Sequence, residues 1–129
     1  MRYFHTALSV SSIEKSRGFY ENVFKLKFRI GAERKELGVK FINLQDDREN
    51  VIELFEHTDP LPLDDNLMNF QRVGIKHISF IVEKLEPVMA DAIRNGGSII
   101  RAPRAGKTVK RNAFIGDPDG IPIEVVELN

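Results

Sequence analysis

The strongest constraint on this chain is that its two halves repeat one plan. Residues 5–10 alternate, with Thr6, Leu8 and Val10 on one face of a strand and His5, Ala7 and Ser9 on the other. Residues 77–82 do the same, setting Ile78, Phe80 and Val82 against His77, Ser79 and Ile81. Glu53 follows His5 by 48 positions and Glu124 follows His77 by 47, each within an aliphatic segment. Modules of this size bury their own sheet faces poorly, so they are expected to pack as pseudo-equivalent halves whose matching residues converge.

The segments between these markers read alike. Ser11 and Glu14 have the spacing of a capping box, and Ile13, Tyr20, Val23 and Phe24 follow a helical period, predicting a helix over about 12–24. Extended segments follow at 26–30, 39–44 and 51–55, with the charged run 45–50 as a hairpin turn. Turn formers fill 58–65, and 66–71 is read as a short helical turn. In the second half, Pro87 marks the start of a helix with Val88, Ala92 and Ile93 as its apolar stripe, and Asn95-Gly96-Gly97 is its left-handed stop. Strands at 98–101, 112–115 and 122–127 complete the set, with Asp117-Pro118-Asp119-Gly120 as the last turn. The fold class is therefore α+β, with two βαβββ modules in tandem: module one about 1–57, a connector about 58–73 and module two about 74–129.

Composition narrows the function. A length of 129 residues with 42% hydrophobic content suits a single domain. Basic and acidic residues balance at 19 each, which leaves no global field to gather nucleic acid or an anionic membrane. No apolar run approaches the roughly 20 residues that span a bilayer, so a soluble, cytoplasmic protein acting on a small molecule is expected. Cysteine is absent, so any metal must be held by nitrogen and oxygen.

His5, Glu53, His77 and Glu124 fit that requirement. Each glutamate lies among aliphatic neighbours, Val51-Ile52-Glu53-Leu54 and Pro122-Ile123-Glu124-Val125, where an ionised carboxylate is costly unless a cation compensates it. Two imidazoles and two carboxylates around one divalent ion make a formally neutral site with coordination positions left over. Such a mixed donor set accepts Zn, Ni, Co, Fe or Mn.

The segments Arg2-Tyr3-Phe4-His5-Thr6-Ala7-Leu8-Ser9-Val10, Gly18-Phe19-Tyr20, Val51-Ile52-Glu53-Leu54, Lys76-His77-Ile78-Ser79-Phe80 and Gly116-Asp117-Pro118-Asp119-Gly120 with Ile123-Glu124 resemble the vicinal oxygen chelate superfamily. The resemblance covers nearly the whole chain. It implies an open, curved mixed sheet around the metal and a homodimer. The His, Glu, His, Glu set is similar to that of glyoxalase I, whereas extradiol dioxygenases and fosfomycin-resistance enzymes typically use two His and one Glu. By resemblance the chain is lactoylglutathione lyase-like, isomerising a hemithioacetal of methylglyoxal, with Glu124 as base and Glu53 as its partner. Where related glyoxalases often carry an arginine and an asparagine, this chain has Ser9 and His57, which leaves the thiol open. Lys110 and Arg111, in a basic stretch that begins at Arg101, are the candidate substrate-binding cations. A related metal-dependent epimerase or dioxygenase, or a metal-free resistance protein that sequesters a small molecule, are the alternatives.

Overall fold

The alternating segments become strands in a computed structural model that describes residues 1–63 and 65–129; Asp64, in the turn-rich loop, lies outside them. The chain divides into two units, Met1–Pro62 and Leu63–Asn129. The first runs β1 (His5–Ser9), α1 (Ile13–Phe24), β2 (Lys27–Arg34), a 3-10 turn (Lys35–Leu37), β3 (Val39–Gln45) and β4 (Val51–His57). The second runs β5 (Ile78–Ile81), α2 (Leu85–Arg94), β6 (Ser98–Ala105), β7 (Arg111–Gly116) and β8 (Pro122–Glu127). Their sheets have one topology, β1-β4-β3-β2 and β5-β8-β7-β6. In each, the first strand pairs in parallel with the last and the other pairs are antiparallel. The fold is thus α+β, with two mixed four-stranded sheets. No helix among the described residues is long and apolar enough to cross a membrane.

Burial follows the alternation. Leu8, Val10, Leu44, Ile52 and Leu54 are buried together with Phe19, Tyr20 and Val23 of α1, whereas Ala7 and Ser9 are exposed. In the second unit Ile115, Ile123 and Val125 form the core with Leu85 and Ala92 of α2. The last hairpins of the units share one design. The Asp46 carboxylate accepts from the backbone N–H of Arg48 and Asn50 (both 2.9 Å), and that of Asp117 accepts from Asp119 and Ile121 (both 2.9 Å). Each turn then passes through a left-handed residue, Glu49 (φ 64°) in one and Gly120 (φ 81°) in the other.

Several sequence expectations are corrected. The N-cap of α1 is Ser12, whose hydroxyl accepts from the Lys15 N–H (3.3 Å), and not Ser11. Val10 still donates to the Phe55 carbonyl (2.8 Å), which keeps the chain in strand register and delays the helix. Helix α2 begins at Leu85, so Pro87 is its third residue; the first-turn amides have no intrahelical acceptor, and a missing N–H there forfeits no bond. Strands β2 and β6 run to Arg34 and Ala105, beyond 30 and 101. Register shifts between Phe28 and Ile30, and around Arg101, break the period that marks a strand. Residues 66–71 make two successive turns rather than a helical one, because Asn66 and Asn69 turn their side chains onto the amides of Met68 (3.0 Å) and Gln71 (3.2 Å).

The repeat has one further layer. Glu56 accepts from the N–H of Ile13 (2.7 Å), the first residue of α1, and Glu127 accepts from that of Leu85 (3.0 Å), the first of α2. Both carboxylates stand three positions after the candidate ligand of their strand, and both lie where a helix favours negative charge.

Candidate metal centre

Alternation along β4 and β8 turns Ile52, Leu54 and Glu56, and likewise Ile123, Val125 and Glu127, towards the helices. Glu53 and Glu124 therefore stand on the opposite sheet faces. The parallel pairing aligns Ala7 with Glu53 and Ser79 with Glu124, so each histidine, two residues earlier, is set on the same side as its glutamate. His5 Nε2 lies 3.7 Å from Glu53 Oε1, and His77 Nε2 lies 3.6 Å from Glu124 Oε2. All four side chains are partly buried, with 30% and 13% exposure in the first pair and 28% and 21% in the second.

These separations exceed a hydrogen bond and match two donors that share an ion at about 2.1 Å from each. Both Nδ1 atoms are buried without a hydrogen-bond partner. The rings are oriented by aromatic edges instead: Phe4 meets His5 at 4.7 Å and Phe114 meets His77 at 5.1 Å. Each pair therefore fits, in kind and in spacing, two ligands of a divalent ion. Among the described residues no unit gathers three or more such side chains into one cluster.

The two glutamates differ in what holds them. Glu124 Oε2 accepts from the Ser79 hydroxyl (3.1 Å) and Oε1 from Asn112 Nδ2 (2.7 Å). Asn112 Oδ1 in turn accepts from Arg101 (3.0 Å), whose guanidinium lies 5.0 Å from the centre of the Phe114 ring. Burial and the neighbouring Arg104 push the Arg101 guanidinium down from its ordinary range, and Glu124 opposes the shift. The positions matching Ser79 and Asn112 in the first unit are Ala7 and Phe41, neither with a side-chain donor. Asn43, paired with Glu53 across the strands, is 4% exposed, and its Oδ1 has no partner.

Lys110 and Arg111 lie elsewhere. Arg111 is on the helix-facing side of β7, where it donates to Glu86 (2.8 and 3.1 Å) and to Glu127, and Lys110 Nζ sits 3.9 Å from Glu127. Hydrogen bonds from Arg111, together with the Leu85 amide, hold Glu127 down to about 2. A cavity of about 580 Å³ beside Glu124 is lined instead by Arg104 and Lys107, with Ser79, Thr108 and Asn112. Lys110 and Arg111, the cations singled out in the sequence, do not line this cavity, and alternation along β7 turns Arg111 to the helix side. Sequence reasoning missed Asn112 and Ser79. Neither has a chemical counterpart in the other half, so the repeat gave no signal for them.

The family model described as Glyoxalase/Bleomycin resistance protein/Dioxygenase superfamily matches residues 2–125. The chain is 32% identical over 125 residues to the uncharacterised protein YwkD of Bacillus subtilis, covering 95% of this chain and 94% of that one. It is also 32% identical over 133 residues to a lactoylglutathione lyase of Neisseria meningitidis, covering 98% and 91%. Among solved structures, a glyoxylase/bleomycin resistance protein/dioxygenase domain from Frankia sp. EAN1pec superposes with a TM-score of 0.80 at 20% identity, covering 100% and 98%.

Proposed function

The chain belongs to the glyoxalase/bleomycin resistance protein/dioxygenase superfamily, and on that premise we propose that it is a metal-dependent lyase of the glyoxalase I type. In this reading His5, Glu53, His77 and Glu124 together hold one divalent ion in a cytoplasmic homodimer, and the substrate is a hemithioacetal of methylglyoxal. The observation that carries it is the duplicated pair, an imidazole 3.7 and 3.6 Å from a carboxylate at matched positions of two matched sheets. An accidental pair occurs once; the same pair at the same register in both units calls for a shared ligand. The resemblance of the chain to a lactoylglutathione lyase over nearly its full length supports the reaction class.

A bound divalent ion supplies Lewis acidity, which makes the proton next to a coordinated carbonyl easier to remove. Glu53 and Glu124 are the carboxylates placed to move that proton from the hydroxyl-bearing carbon to its neighbour, which isomerises the substrate without an oxidant. Phe4 and Phe114 fix the imidazoles, leaving each Nε2 aimed at its glutamate. Arg104 and Lys107 in the cavity beside Glu124 suit an anionic part of the substrate.

Elemental analysis of tag-free protein tests the reading, comparing wild type with Glu53→Gln and Glu124→Gln while assaying methylglyoxal hemithioacetals of several thiols. About one ion per chain, weakened in both variants together with isomerase activity, is the expected result. Bound metal without activity on any hemithioacetal would remove the lyase assignment and favour epimerisation or oxygen chemistry at the same four residues. A folded wild-type protein that takes up no metal would overturn the site itself and favour a binding protein.

A further inference from the structure

On the sheet face that carries Glu53, one buried amide stands in largely apolar company. Asn43 of β3 is the cross-strand partner of Glu53 on β4 and of Ile30 on β2, and Phe41, two residues before it, pairs with Phe55. Asn43 is 4% exposed, and its Oδ1 is buried with no partner among the described residues. The carboxylate opposite cannot supply one, since an ionised glutamate only accepts. A buried acceptor left unpaired is destabilising, and asparagine is poorly suited to a strand. The second unit shows that the fold does not ask for it, because the position opposite Glu124 is Phe114, an apolar ring. An amide retained beside Glu53 and absent from the matching position calls for a donor from outside the chain.

We propose that Asn43 is a specificity residue that accepts a hydrogen bond from the substrate, and that the substrate is the hemithioacetal of an oxoaldehyde bearing a hydroxyl on the carbon next to its ketone. This inference rests on the lyase reading given above and refines the aldehyde part, since methylglyoxal has only a methyl group at that carbon. Directly opposed strand residues have their Cβ atoms about 4.5–5.5 Å apart, so the donor must sit within a bond or two of the carbons next to Glu53. The thiol side offers none there, because sulfur and at least one carbon come before any N–H. A hydroxyl on the ketone's substituent meets the requirement. It takes no part in the reaction, which still moves one proton between adjacent carbons and needs no oxidant or reductant.

The experiment is steady-state kinetics on the metal-loaded full chain, with hemithioacetals of hydroxypyruvaldehyde and of methylglyoxal formed from the same thiol. Wild type is compared with Asn43→Val and, as a second removal of the amide, Asn43→Ala. The expected result is a kcat/KM about 10–100-fold higher for hydroxypyruvaldehyde in wild type, with that preference lost or reversed in both variants. Urea unfolding of the same proteins gives a readout independent of turnover. Valine suits a strand and carries no acceptor, so Asn43→Val is expected to raise the unfolding midpoint. A lowered midpoint would make the asparagine structural and overturn the proposal. A wild type that handles the methylglyoxal adduct as well or better, or a folded variant that keeps the wild-type preference, would remove this inference alone. Metal-loaded protein that isomerises neither adduct would overturn the lyase reading and this inference with it.

Discussion

The matched turns before β4 and β8 allow a quantitative test of the repeat. In both, an aspartate side chain collects two amides and the chain then passes through φ 64° at Glu49 or 81° at Gly120. An L residue in the left-handed region costs about 1–2 kcal/mol, whereas glycine adopts it freely. A Cβ added at Gly120 meets no atom within 4 Å, so Gly120→Ala tests backbone conformation without a clash. Reduced freedom of the unfolded chain returns about 0.4–1 kcal/mol to the alanine variant, leaving a net loss near 1 kcal/mol. The reciprocal change, Glu49→Gly, relieves the same strain at the matched position and is expected to gain about 0.5–1 kcal/mol after the added flexibility of the unfolded state is subtracted. For a chain of this length 1 kcal/mol corresponds to about 4 °C in Tm. Urea unfolding followed by circular dichroism measures both, with unchanged m-values as the check that only the folded turn was altered. If Gly120→Ala were neutral, or Glu49→Gly destabilising, the two turns would not be conformational equivalents and the structural repeat would fail where it is most detailed.

Two other outcomes are expected. Glu127 is held down to about 2, chiefly by hydrogen bonds from Arg111, against an ordinary value near 4.5. Because the folded-state value is the lower one, its contribution is complete above about 4.5 and is lost as pH falls towards 2. Glu127→Gln should therefore lower stability at neutral pH and flatten the acid limb of a stability profile, its curve converging with wild type near pH 2; parallel curves would remove Glu127 from the acid response. At the proposed metal site, Glu53→Gln and Glu124→Gln are each expected to weaken Zn²⁺ binding, read by competition with a chromophoric chelator. Unchanged affinity in either folded variant would remove that glutamate from the ligand set.

The order of strands and helices was legible because burial follows a simple period in the central strands. Leu8 and Val10, and Ile52 and Leu54, are buried where alternation places them. The extents of β2 and β6 were not legible, since β2 is exposed at every residue and both are edge strands interrupted by register shifts. Their ends are set by pairing with β3 and β7, a long-range relation that no local pattern records. His5, Glu53, His77 and Glu124 were legible because charged or ligating groups in aliphatic strands are anomalous, and the anomaly recurs. Glu56 and Glu127 obey the same repeat, three positions further on, but glutamate near a strand end looks like ordinary solvent exposure until the helix amide opposite it is seen.

What the halves share and what they do not have different physical meanings. The shared features, parallel first and last strands, an aspartate-centred turn and a glutamate on each helix start, are backbone solutions that either half needs in order to fold. The histidine and glutamate pair is also shared, but folding does not require it: an ionisable pair on a sheet face is replaceable by apolar residues without loss to the core. The unshared features gather around one member of that pair. Arg101, Asn112 and Ser79 converge on Glu124, while the cavity on the same face is lined by Arg104 and Lys107. The asymmetry built around Glu124 therefore lies in residues that the repeat itself does not contain.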